Sequence, residues 1–481
     1  MFVRRTRTTA LATIALLNVF TLAAGLVVAH MLPPRLAGLK IPVAAARPLI
    51  GAATVLTPAG TSAAVSPPTE TALAAMLGAA LPAADTGPGV GIEVADARTG
   101  KVLYGENAST LATPASTTKV VTAVAALAVL GPDARFTTTV RQDGGAIVLV
   151  GGGDPTLAVN EYPSSDYPQP ATLAALAAAT ARVLKAKGRR SVALGYDTSL
   201  YGGSDMASGW SDSDISTGNV TPIVALEADQ GRLTRSGALE DADDPVNFRP
   251  RTTDPVGMTV AAFASLLRQD GITVLGTPKP AAGAASAPLV ASVSSPPVAA
   301  IAGQLLLESN NVIAENLARH VAIAMGMHAS FDGAAGAVMT EARRLGVSTP
   351  ISLVDGSGLS PLDGIAPQTL VRVLAAAAST PRLRGAITSL PVAGFTGTLS
   401  VGGSVFGDIG AWADGAARGV VRAKTGNLSA VAALAGLAYD RAGGLLIFAI
   451  MAPHVPAAYL LQNAAEAIGS AAGGLAACGC R

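Results

Sequence analysis

Pro114-Ala115-Ser116-Thr117-Thr118-Lys119, leading into the apolar run from Val120 to Leu130, is the stretch on which the reading of this chain turns. A proline and small hydroxyl residues ahead of Val, Ala and Leu form a helix-start signal. Residues three apart on a helix share a face, so Ser116 and Lys119 stand side by side. A serine holds its proton too tightly to attack a carbonyl unaided. A lysine kept partly neutral by burial or by neighbouring cations can take that proton. The helix N-terminus adds a positive partial charge where an oxyanion would develop. Alone, Ser-x-x-Lys recurs by chance in long chains and reads equally as a helix cap with a solvated lysine.

Just upstream, Gly91 to Ala97 and Lys101 to Tyr104 carry alternating apolar positions on either side of Arg98-Thr99-Gly100, a β-hairpin pattern. Before it, Thr69 to Leu81 reads as a helix with Leu73, Met76 and Leu77 on one face. Downstream, from about 133 to 297, the texture changes to strand-like runs such as Ala146 to Val150, a Gly151-Gly152-Gly153-Asp154-Pro155 turn, and loops holding Asp212, Asp214, Asp241, Asp243 and Asp244. A helical segment is expected over Val298 to Ala324. Strands are expected over Gly419 to Lys424, Ala430 to Tyr439 and Gly444 to Met451, then a helix near Ala457 to Ile468. No fixed-period repeat is visible.

Two further clusters can carry chemistry. Ser309-Asn310-Asn311 comes after the apolar run Leu305 to Leu307 and offers a hydroxyl and two amides. Asn311 can hydrogen-bond a substrate peptide group and Ser309 can pass a proton, although a capped helix start gives the same letters. Lys424-Thr425-Gly426 closes a strand-like run. In a strand, Lys424 and Gly426 share a face, and a glycine there lets a ligand approach the backbone. Lys424 and Thr425 can together grip a carboxylate, and an ordinary edge-strand lysine is the plain alternative.

Composition narrows the classes. Of 481 residues, 50% are hydrophobic and 14% charged, enough for large buried cores and too apolar for a disordered chain. Length alone suggests about three structural units. The formal net charge of +1 gives no general attraction to nucleic acid. The 4 histidines and 2 cysteines are too few and too scattered for a zinc or haem site, so no metal and no cofactor are expected. Cys478 and Cys480 lie in a short C-terminal tail, and the lack of cysteine before them suits a chain that works outside the cytoplasm.

Arg4, Arg5 and Arg7 precede an apolar stretch from Ala10 to Ala29, long enough at about 1.5 Å per residue to cross a bilayer core. The positive flank places the chain beyond Ala29 outside the cytoplasm. An uncleaved membrane anchor is the expectation, and a cleaved signal peptide is the rival. Val28-Ala29-His30-Met31 offers no clean small-x-small cleavage site. Residues 30–68, rich in Pro, Ala, Gly and Ser, read as a linker.

Taken in order, Ser-x-x-Lys, Ser-x-Asn and Lys-Thr-Gly match the signature shared by penicillin-binding proteins and serine β-lactamases. The chain resembles more specifically the low-molecular-mass class C penicillin-binding proteins, the D-alanyl-D-alanine carboxypeptidase/endopeptidases. The residues that carry the resemblance are Pro114 to Lys119, Gly151-Gly-Gly-Asp-Pro-Thr-Leu157, Ser309 to Asn316, Asp355-Gly-Ser-Gly-Leu-Ser360, Gly397-Thr-Leu399 and Ala423 to Asn427, and it spans roughly residues 70 to 475.

The resemblance implies an α/β (α+β) fold in which a transpeptidase-like domain, an antiparallel five-stranded sheet flanked by helices, is split between residues 69–132 and 298–475. An inserted domain would occupy 133–297, with a stub at 1–9, the anchor or signal at 10–29 and a tail at 476–481. The 193 positions between Ser116 and Ser309 make a short insertion for this family, so a nested third domain is reduced or missing. By the same resemblance Ser116 attacks the carbonyl between two D-alanines, Lys119 is the general base, and Ser309 relays the proton to the leaving group. Asn311 holds the substrate amide, and Lys424 and Thr425, in the Lys-Thr-Gly426 motif, bind the terminal carboxylate. The backbone N–H groups of Ser116 and Asn427 form the oxyanion hole. Asn427 stands where Thr or Ser is usual, a change that keeps the backbone donor.

The partners implied are peptidoglycan stem peptides, β-lactams as covalent inhibitors, and the membrane, with no nucleic acid. Asp212 and Asp214, near Trp210, resemble a region that meets the stem-peptide side chain in relatives, against a plain reading as solvated loop acids. A serine β-lactamase or a non-catalytic wall-binding scaffold is the alternative function. The first needs fast deacylation and is normally a much shorter chain, and the second tolerates loss of Ser116.

Overall fold

The computed structural model describes residues 66–163, 167–233, 249–400 and 415–479. The expected anchor at 10–29, most of the linker, and Cys480 lie outside the described residues. Among the described residues no helix is long and apolar enough to cross a membrane.

Alternating and doubly apolar strands build the first sheet. It contains β1 (Gly91–Asp96), β2 (Val102–Glu106), β10 (Val421–Leu428), β11 (Val431–Tyr439) and β12 (Leu445–Ala452), in the order β10-β11-β12-β1-β2, while the short strands β8 (Ile351–Ser352) and β9 (Gly364–Ile365) pair with each other apart from it. All its pairings are antiparallel, with Lys424 opposite Ala435 and Gly426 opposite Ala433. The central strands β11 and β12 are buried along nearly their whole length, which explains their unbroken apolar sequences.

The period of two sorts the side chains between two layers. Ala433, Ala435, Leu437, Ile447, Ala449 and Met451 face one core, shared with the helices that carry the site. Ala423, Ala432, Leu434, Phe448 and Ile450 face the other, closed by α1 (Glu70–Ala80) and the C-terminal helix Leu461–Ala477. Thr69 caps α1, its hydroxyl accepting from the Ala72 amide. The layer bearing the site holds α2 (Thr118–Val129), α5 (Val298–Glu308), α6 (Asn311–Ala324), α7 (Phe331–Arg344) and α8 (Pro367–Ser379).

A second sheet lies between these segments in sequence. It contains β3 (Thr137–Asp143), β4 (Ala146–Val150), β5 (Ser191–Asp197), β6 (Thr273–Pro280) and β7 (Leu289–Ser294), in the order β6-β5-β4-β3-β7. It is mixed: β4, β5 and β6 run parallel, and β3 pairs antiparallel with β4 and β7. Two helices, α3 (Leu173–Ala186) and α4 (Pro255–Gln269), bury Leu173, Leu176, Leu184, Phe263 and Leu267 with Val140, Ile147, Leu149 and Leu194 from its strands. The α/β architecture is the one expected from the sequence.

Three local expectations differ. The helix expected over Val298 to Ala324 is two helices, broken at Ser309, whose φ of 61° is left-handed. Asn310 imposes the break, because its side chain caps α6 by accepting from the Ile313 amide at 3.1 Å. The strand expected to stop at Lys424 starts at Val421 and continues to Leu428, so Lys-Thr-Gly lies inside it. The final helix runs to Ala477, through the first residues expected in the tail, and Cys478 is buried against the second core because the small apolar residues before it keep packing.

Candidate active site

The Ser116 turn is short and shaped by its neighbours. Ala115–Thr117 form one 3-10 turn, and the Thr117 hydroxyl donates to the Pro114 carbonyl at 2.7 Å. Ala115 sits at φ 48°, a conformation that needs outside support for a residue with a Cβ. The support includes Gly358, whose own φ is +76°; a Cβ built on it would lie 1.9 Å from the Ala115 carbonyl oxygen. On the strand side, a Cβ on Gly426 would lie 2.6 Å from the Pro114 carbonyl oxygen. Two glycines therefore let a loop and β10 close on the turn from different directions.

Lys119, one residue into α2, is fully buried, while Ser116 is half-buried at the mouth of the site. The lysine Nζ donates to Ser116 Oγ at 2.8 Å, to Asn311 Oδ1 at 2.6 Å and to the Ser357 carbonyl at 2.8 Å. Burial pulls its pKa down to about 7, against the opposing pull of Asp355, Glu315 and Asp363. The amine is thus poised to be neutral in an appreciable fraction of molecules near neutral pH.

Those carboxyls are fixed by the Asp355–Ser360 loop. Asp355 Oδ1 accepts from the Ser357 and Gly358 amides at 2.9 and 2.6 Å, and its Oδ2 accepts from the Ser360 amide at 2.7 Å and from Trp210 Nε1 at 2.8 Å. Glu315, from α6, accepts from the Gly356 amide at 3.0 Å. Burial and the nearby Asp355 push the Glu315 carboxyl up to about 8, and burial pushes Asp363 up to about 10. The loop is tied to α2 by the Thr122 hydroxyl, which donates to the Gly356 carbonyl at 2.6 Å.

Asn311 opens α6. Its Nδ2 donates to the Asn219 carbonyl at 2.9 Å. A carbonyl can only accept, so this contact turns Oδ1 toward Lys119. Ser309 lies two residues earlier, half-buried, in the left-handed break between α5 and α6.

On β10, Lys424 and Gly426 point to the face that holds α2, as the buried Ala433 and Ala435 opposite them do. Lys424 is fully buried, and its Nζ donates to the Thr425 carbonyl at 2.9 Å. Burial, with Lys119 adding to it, holds its pKa well below the ordinary lysine value. The Thr425 and Thr398 hydroxyls share a hydrogen bond at 3.0 Å, which brings the Gly397-Thr-Leu399 turn to the same place. The Ala423 amide donates to the Pro391 carbonyl, away from β11. Alternate amides of a strand point the same way, so the N–H groups of Thr425 and Asn427 face that edge too.

Ser116, Lys119 and Asn311 thus meet through one nitrogen, and Gly426 brings the strand bearing Lys424, Thr425 and Asn427 against the same turn. Asp212 and Asp214, expected in a loop, open the short helix Asp212–Ser216: Asp212 is exposed, and Asp214 closes a capping box with Ser211. The site also uses the Ser357 carbonyl, Glu315 and Thr398, which lie in motifs that carry the resemblance but were given no role of their own, and the Asn219 carbonyl, which the sequence did not single out. The backbone acceptors carry no residue-type signal, whereas a carboxyl on the apolar face of α6 was a usable one.

Comparison with known proteins bears on what this site does. The sequence model of the D-Ala-D-Ala carboxypeptidase 3 (S13) family matches residues 73–236 and 227–469. The chain belongs to that family. Its relatives include carboxypeptidase DacB of Mycolicibacterium smegmatis, 37% identical over 420 residues covering 86% of this chain and 85% of the relative. A carboxypeptidase of Mycobacterium tuberculosis is 34% identical over 462 residues, covering 92% and 91%. The crystal structure of penicillin binding protein 4 (dacB) of Haemophilus influenzae superposes with a TM-score of 0.65 at 23% identity, over 82% of this chain and 97% of that one, and so shares the fold. As an S13 member the chain is an enzyme, a serine peptidase of the D-Ala-D-Ala carboxypeptidase type.

The Gly358 contact gives a first test. Gly358→Ala is expected to destabilise the chain by about 3 kcal/mol through positive φ and overpacking, and to slow covalent labelling by penicillin as the turn shifts. Urea denaturation read alongside penicillin labelling checks this; an unchanged midpoint would contradict the support assigned to Gly358.

Proposed function

We propose that Ser116 is the nucleophile of a penicillin-sensitive hydrolase that removes the terminal D-alanine from peptidoglycan stem peptides. The observation that carries the reading is the single lysine nitrogen within hydrogen-bond distance of Ser116 Oγ and Asn311 Oδ1. Asn311 Oδ1 and the Ser357 carbonyl are acceptors, and each occupies one N–H of Lys119. When Lys119 is neutral, its lone pair is therefore left facing Ser116.

In the proposed reaction Lys424 and Thr425 bind the terminal carboxylate and Asn311 holds the substrate amide. Ser116 Oγ forms a bond to the carbonyl carbon between the two D-alanines while its proton passes to Lys119 Nζ. The N–H groups of Ser116 and Asn427 receive the oxyanion, an interaction worth about 3–4 kcal/mol where single donors have been removed from other enzymes. Collapse breaks the C–N bond, Ser309 passes its proton to the departing amine and is reprotonated by Lys119, and free D-alanine leaves. Water then attacks the ester, its proton returns through Lys119, and Ser116 is restored. A β-lactam enters by the same first step and stays as a penicilloyl ester.

The proposal extends to organisation. Residues 69–132 with 298–475 form the penicillin-binding domain, 133–297 the inserted domain, and 10–29 an anchor or export signal that puts the enzyme outside the cytoplasm, facing the wall. Support comes from the basic residues ahead of that stretch and from the family's reaction. The test is to incubate the purified chain with muropeptides of known structure and weigh the products. Loss of one alanine from a pentapeptide stem supports the reading; no change in any stem or cross-link removes it.

A further inference from the structure

We infer that Gln230, outside the six motifs, is a positioning residue that holds the Ser309-Asn310-Asn311 turn in place for acylation; this rests on the proposed role of that turn. The orientation of each amide is set by partners that can act in only one way. Asn310 Oδ1 accepts from the Ile313 backbone N–H at 3.1 Å, so Asn310 Nδ2 must face the other side. There it donates to Gln230 Oε1 at 2.7 Å. Gln230 Nε2 in turn donates to the Pro155 carbonyl at 3.2 Å, in the Gly151–Leu157 motif. Gln230 is 4% exposed, out of a substrate's reach, and its side-chain link to the turn runs through Asn310.

The backbone at Gln230 is built for this contact. Asp229 and Gln230 have φ of 50° and 54°, a left-handed pair that L residues adopt only where the surroundings enforce it. Arg251 does much of the enforcing. Its Nη1 donates to the Gln230 carbonyl at 2.7 Å, its Nε to the Gly218 carbonyl at 3.0 Å, and its backbone amide to the Ile215 carbonyl. Gly218 precedes Asn219, whose carbonyl receives Asn311 Nδ2. One buried guanidinium thus joins two straps, Gln230 on Asn310 and Asn219 on Asn311. Between them they brace a turn whose Ser309 is itself left-handed.

The test is a time course of labelling of the full-length chain by a fluorescent penicillin, with melting temperature measured in parallel. Gln230→Met keeps the length of the side chain and removes both polar contacts. The acylation rate constant is expected to fall about tenfold or more, since small misplacements of reacting groups are costly, while the final fraction labelled is unchanged. Asn310→Ser keeps a cap oxygen for Ile313 and loses only the donor to Gln230; it carries the test if Gln230→Met fails to fold, and the same fall is expected. The double variant is expected to be no slower than the slower single one, because both remove one contact.

Unchanged rate constants in Gln230→Met and Asn310→Ser overturn the inference and leave the Ser116 reading intact. So does a loss confined to the final fraction labelled and the melting temperature, which marks a purely structural role. If the unsubstituted chain takes no label, the Ser116 reading falls and this inference falls with it.

Discussion

Ser116→Ala is expected to abolish covalent labelling by penicillin and to lower D-alanine release by about 10⁴-fold or more, the scale lost when a nucleophile acting with its base is removed. The fold should survive. Ser116 is half-buried and contributes no packing to the core, and the turn is held by Thr117, Gly358 and Gly426. An unchanged melting temperature would separate the chemistry from the structure. A non-catalytic scaffold predicts the reverse, with wall binding unaffected and no activity to lose.

Lys119 yields the second large effect. Lys119→Met removes the proposed base and is expected to slow acylation by roughly 10³-fold. Lys119→Arg should be nearly as poor, because a guanidinium stays protonated and cannot accept the serine proton. In the unsubstituted enzyme the lysine pKa, pulled down to about 7 by burial, is expected to set the pH profile. The neutral amine is the active form, so the acylation rate should fall tenfold per unit as pH drops below about 7 and level off above it. Burial is the first cause of that low value, so a variant that lets water reach Lys119 should move the acid limb upward. Stopped-flow acylation across the pH range reads this directly, and a profile flat from about pH 5 to about pH 9 would remove Lys119 as the base.

The parts of the site legible in the sequence were those set by local spacing. Ser116 and Lys119 are three residues apart at a helix start, and Lys424 and Gly426 share a strand face, so short-range geometry decides both. The hairpin of β1 and β2 showed in its alternation and its glycine turn. Less was read elsewhere. Helix α3 buries Leu173, Leu176, Ala177, Thr180 and Leu184 along one face at helical spacing, a usable signal that the sequence reading did not take up. The break at Ser309 was only half legible: Ser309-Asn310-Asn311 offered a capped helix start, yet the apolar runs on either side of it read as one helix. The acceptors that orient Lys119 and Asn311, the carbonyls of Ser357 and Asn219, are backbone atoms brought in by long-range folding, and no residue identity encodes them.

The attachment point of a β-lactam is where these inferences converge. The whole chain is incubated with benzylpenicillin, digested, and the penicilloyl-bearing peptide sequenced by tandem mass spectrometry. The account predicts one adduct, on Ser116, formed at a rate that falls with the protonation of Lys119. An adduct on Ser309 or on another hydroxyl, or a fully folded chain that acquires none, would contradict it.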